Sequence, residues 1–84
     1  MYANNCAMRE QVVERLQSQY LEHLSAGGLQ GVSATEAVIE IWSSAETGTF
    51  TVLQTQPDGV TCIMATGTDW FIRPPAAVAS AAAS

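Results

Sequence analysis

Two apolar periodicities, separated by a glycine-rich break, constrain this chain more than any other feature. From Cys6 to about Leu24, the residues Val12, Val13, Leu16, Tyr20 and Leu24 recur at three- and four-residue spacing. Met8 extends the stripe one turn earlier and Leu21 widens it. This is the repeat of one helical face. Glu10, Glu14, Arg15, Gln17, Gln19 and Glu22 fill much of the other side, and no proline or glycine interrupts the run. Asn4 or Asn5 stands where an N-cap is expected. Ser25-Ala26-Gly27-Gly28 then reads as the helix stop, and the segment through Gly31 to Ser33 as a loop.

Beyond the break the repeat becomes two. Residues 35–43 place Ala37, Ile39 and Ile41 on one side and Glu36, Val38, Glu40 and Trp42 on the other. Residues 49–56 and 60–66 read as two further strands. Gln56-Pro57-Asp58-Gly59 between them is a tight turn, because proline presets one dihedral and glycine accepts the one that closes it. Trp70-Phe71-Ile72 is a dense apolar patch suited to a short fourth strand.

The expected fold is therefore α+β: one N-terminal helix packed on a three- or four-stranded antiparallel β-meander. A small β-barrel with one helix outside is the alternative. Short links favour sequential antiparallel neighbours, and such a sheet needs one face covered. A chain of 84 residues supports a single domain. We place that domain at residues 1–73. Residues 74–84, rich in Ala, Ser and Pro, read as a flexible tail.

Charge excludes some function classes. The net charge is -5, the cations are Arg9, Arg15 and Arg73, and there is no lysine. Three dispersed arginines do not form the basic stripe that nucleic acid requires. They are equally unsuited to an anionic membrane surface. No apolar run is long enough for membrane insertion. The negative charge serves solubility first, and its field would also steer a basic protein partner.

The two cysteines leave alternatives open. With a single histidine, His23, the chain lacks the ligand set of a zinc site, so no metal and no cofactor are expected. Cys6 and Cys62 form either a disulfide tying the helix start to the sheet, or two unpaired residues with Cys62 a small core hydrophobe.

Three stretches carry a resemblance: Cys6-x-x-Arg9-x-x-Val12-Val13-x-x-Leu16, Glu46-Thr47-Gly48-Thr49-Phe50-Thr51, and Pro57-Asp58-Gly59-Val60-Thr61-Cys62-Ile63. Over residues 6–70 the chain resembles small exported alphaproteobacterial proteins of unassigned function. Those carry an export signal ending just before the first cysteine. The resemblance implies periplasmic exposure and, with it, the disulfide. Residues 1–5 do not read as such a signal, and the Ala-rich tail is a second departure. The expected location is periplasmic or secreted if a signal was removed, and cytoplasmic otherwise.

Catalytic chemistry finds little here. Glu36 and Glu40 are separated by roughly 13 Å of extended backbone, too far for a paired acid and base. Glu10 and Glu14 sit beside Arg9 and Arg15 on the solvated helix face. Gly27-Gly28-x-x-Gly31 follows a helix, so it is no dinucleotide fingerprint. No enzyme is expected. Trp42, with Val38, Glu36 and Glu40, is the candidate interface if Ala37, Ile39 and Ile41 face the helix; in the opposite register Trp42 is core. The expected function is a small non-enzymatic protein-binding module, with a structural protein acting as a homo-oligomer or homodimer as the alternative.

Overall fold

The computed structural model describes residues 5–31 and 36–73. The proposed tail at 74–84 and the start of the expected first strand lie outside the described residues. Among the described residues the element order is β1 (Cys6–Met8), α1 (Arg9–Gln19), β2 (His23–Leu29), β3 (Val38–Ser43), β4 (Phe50–Thr55) and β5 (Val60–Gly67). The strands form one five-stranded sheet in the order β1-β5-β4-β3-β2, with every pairing antiparallel. The α+β meander with a helix on one face is thus the observed fold, with more strands than the sequence suggested.

The three strands expected from period-two patterning are present with small changes at their ends. Their hairpins close by local chemistry. At 56–59 the Gly59 N–H donates to the Gln56 carbonyl, Gly59 has φ +93, and Asp58 Oδ1 accepts the Val60 N–H. At 44–49 the Ser44 hydroxyl accepts the N–H groups of Glu46 and Thr47 at 3.1 and 3.2 Å.

The helix is shorter than expected at both ends. Cys6–Met8 extend as an edge strand because Cys6, Ala7 and Met8 lie opposite Cys62, Thr61 and Val60. Asn5 is not a cap: its Nδ2 donates to the Ile63 carbonyl, and the helix starts without a side-chain cap. At the other end the Leu16 carbonyl accepts both the Tyr20 and Glu22 N–H groups, and Leu21 turns the chain at φ 55. Leu24, whose spacing continued the helical stripe, belongs to β2. Gly27 and Gly28 are strand residues too, and a Cβ on Gly27 would lie 3.1 Å from the Ile39 carbonyl oxygen.

Trp70-Phe71-Ile72 does not form a strand. Trp70 donates its N–H to Gly48 and packs on Phe50 with ring centroids 5.5 Å apart, while Phe71 and Ile72 are exposed. The extra strands are β1 and β2 instead.

The core is small. Val12 and Leu16 of the helix meet Trp42 and Leu53 of the sheet, with Ala7, Val13 and Ile63 packed around them. Leu53 is fully buried. Burying one such side chain is worth about 2–3 kcal/mol, so a handful of them leaves a domain that benefits from a covalent staple.

Candidate functional site

The register assigns every side chain to a sheet face. Trp42 lies opposite Thr51, and Glu40 opposite Leu53. Leu53 lies opposite Ile63, and Thr55 opposite Thr61. These residues point toward α1. Ile39, Ile41, Val52 and Cys62 point the other way by the strict alternation of strands.

The candidate interface built on an exposed Trp42 is therefore corrected. Trp42 is 4% exposed and Glu40 is 8% exposed, both under the helix side, whereas Glu36 and Val38 are exposed. The opposite register holds, and a one-residue change of register moves the whole strand pattern to the other face. Glu40 is held there by Arg9, whose Nε and Nη2 donate to Oε1 and Oε2 at 3.2 and 2.7 Å. Trp42 Nε1 adds a longer donor at 3.4 Å. The hydrogen bond to Glu40 raises the Arg9 pKa above its ordinary value, so the guanidinium stays charged throughout the neutral range. The fork geometry fixes the helix start over the sheet.

On the same side, an open cleft of about 790 Å³ lies between α1 and the strands beside it. Val12, Leu16 and Ile63 form apolar wall, and Thr49, Thr51 and Thr66 bring hydroxyls. Tyr20, expected in the core, is 44% exposed and lines the cleft. Glu22 lines it as well. Read from sequence as a solvated helix residue, Glu22 is 3% exposed. The left-handed Leu21 turns it inward; a non-glycine residue in this region is uncommon. Thr49 Oγ1 donates to Glu22 Oε2 at 2.7 Å, and Thr47 Oγ1 lies 2.7 Å from Thr49 Oγ1. Glu22 Oε1 is buried without a hydrogen-bond partner among the described residues. Nothing in the sequence marks this position, because Tyr20-Leu21-Glu22 continues the helical spacing.

The opposite face has different chemistry. Cys6 and Cys62 are joined by a disulfide, with Cα atoms 4.0 Å apart. The bond forms between directly opposed strand residues, not between a helix start and the sheet. Neighbouring pairs carry the ladder hydrogen bonds, as where the Ile63 N–H donates to the Asn5 carbonyl, so the cysteines occupy the closer, non-hydrogen-bonded position. The sulfurs lie on the face away from α1. Gln54 stands directly opposite Cys62, and Ile39, Ile41, Val52 and Val60 share the same face. A shift in the β4–β5 register leaves Met64 unpaired and brings Ala65 opposite Val52. By register this face carries no carboxylate and no arginine; its one titratable side chain is His23, opposite Ser43 at the β2 edge. Among the described residues no helix packs on it.

No group of three His, Cys, Asp or Glu residues among those described is arranged to hold a metal ion. Among the described residues, no helix is long and apolar enough to cross a membrane. Comparison with family models, with curated proteins and with solved structures gave no match.

Proposed function

We infer that this domain is a small non-enzymatic protein-binding module that works in an oxidising compartment, as the resemblance to exported proteins implies. The observation that carries the reading is the sheet face of Ile39, Ile41, Val52 and Val60, which bears no carboxylate or arginine by register and is uncovered by the helix. Contiguous apolar surface of this kind is a common basis of protein–protein docking. The partner we assign has an apolar centre and a basic rim. A chain of net charge -5 without lysine repels a second copy of itself at low salt and attracts a cationic surface. The disulfide supports export, since such bonds persist in oxidising compartments.

The test has two parts. Light scattering gives the solution mass, and a photo-reactive residue at Val52 captures contacts in cells of the source organism. The expected results are a mass near 8.9 kDa and a Val52 adduct with a protein bearing a basic surface. That adduct should be lost on Ile41→Glu and absent when the probe is moved to Gln17. A mass twice that of the chain would overturn this partner and favour the homo-oligomer reading. One observation speaks for that second reading: β2 is an edge strand whose seven residues are all exposed, with neither lysine nor proline to blunt it.

A further inference from the structure

The cleft lies mainly on the helix side of the sheet, although Cys6, Phe50 and Gly67, which the register puts on the other face, also reach its lining; none of Ile39, Ile41, Val52 and Val60 does. We propose that the cleft binds a cationic amine carried on an apolar stem, with Glu22 as the anchoring carboxylate.

Four observations converge on this ligand class. Glu22 is almost wholly buried, yet only one of its oxygens meets a donor, the neutral hydroxyl of Thr49. Its Oε1 has no partner among the described residues. A buried carboxylate oxygen in this state is costly, and a charged N–H donor offsets that cost best. The only salt bridge among the described residues, Arg9 to Glu40, involves neither Glu22 nor the cleft.

The second observation is the wall beside Glu22: Val12, Leu16 and Ile63 favour an aliphatic or aromatic body over a polar one. Third, Tyr20 stands at 44% exposure along the same cleft, where its ring can face a cation. Fourth, the cleft volume, about 790 Å³, falls within the range of small-molecule sites. The left-handed turn at Leu21 holds Glu22 inward, and local strain of this type concentrates at binding sites.

The shared chemistry has two sources, a free small amine or the lysine side chain of another protein. Titrations followed by amide NMR separate them. The probes are phenethylamine, a short peptide containing one lysine, and 2-phenylethanol as the uncharged isostere of the first. Saturable shifts at Glu22, Thr49, Thr51 and Thr66 are expected with at least one amine. Tighter binding of phenethylamine assigns a free amine, and tighter binding of the peptide assigns a partner's side chain.

Glu22→Gln retains an oxygen for Thr49 and should weaken the better amine about tenfold or more. The alcohol comparison on the unaltered protein needs no variant to fold. Equal binding of phenethylamine and 2-phenylethanol, undiminished binding in Glu22→Gln, or shifts spread evenly over the acidic surface would each overturn the proposal.

Discussion

The two faces of the sheet invert the usual relation between polarity and cover. The face under the helix carries Trp42 and Leu53, but also buried Glu40, Thr51 and Thr61. The face without a helix carries Ile39, Ile41, Val52 and Val60, with Gln54 among them and His23 at its β2 edge, and no carboxylate or arginine. Aliphatic content therefore does not choose the covered face. Topology does. β1 and β2 are the two edges of the sheet and run parallel, so α1 links them by a crossover. Four inter-strand steps span about 19 Å, close to the roughly 16 Å length of an eleven-residue helix. Such crossovers are right-handed in about 98% of cases, so chain direction selects the side on which the helix lies. The covered face is then made stable by an aromatic ring, a forked ion pair and threonine hydrogen bonds.

Breaking the disulfide should have the largest effect on this comparison, since the bond staples the open face. Closing a loop across the 56-residue separation corresponds to about 4 kcal/mol in the chain-entropy model. Chemical denaturation with and without reductant should show a loss of that order. Next comes a contrast between adjacent residues of β4. Leu53→Ala should cost about 3 kcal/mol, because Leu53 is fully buried. Val52→Ala, one residue away on the open face, should cost under about 1 kcal/mol. Equal urea midpoints for the two variants would break the distinction between the faces.

Removing the fork that anchors the helix is a smaller perturbation. Arg9→Met keeps an apolar stem but leaves Glu40, whose side chain is 11% exposed, with Trp42 as its remaining donor. A loss of about 2 kcal/mol in thermal or urea unfolding is expected. The smallest effect belongs to the one packed corner opposite the helix. A Cβ on Gly67 would lie 2.5 Å from the Phe50 ring. Gly67→Ala should push that ring from Trp70, shift the tryptophan emission and cost about 1 kcal/mol.

Strands β3, β4 and β5 were legible because their signals are local: alternation, β-branched residues and a Pro-Asp-Gly turn. The staple was legible as one of two options for a cysteine pair, although its place in the fold was not. β2 escaped notice because His23–Leu29 contains two glycines and little intrinsic strand preference; it is a strand by virtue of pairing with β3. The end of α1 was hidden by coincidence, since Leu21 and Leu24 fall at helical spacing while the chain has already turned at Leu21. The sequence placed Trp42 only as far as a choice of register. A count of aliphatic residues points to the face with Ile39 and Ile41, whereas the helix crosses on the other. Glu22 could not be found at all, because its burial depends on Thr49, twenty-seven residues away.

The most direct test of the central claim is methyl NMR with a soluble paramagnetic relaxation agent, on protein first shown to have a solution mass near 8.9 kDa. The methyl groups of Ile39, Ile41 and Val52 should relax several-fold faster than those of Leu16 and Leu53. Equal protection of the two sets in the monomer would contradict an open aliphatic face, and faster relaxation of Leu53 than Val52 would contradict the register itself.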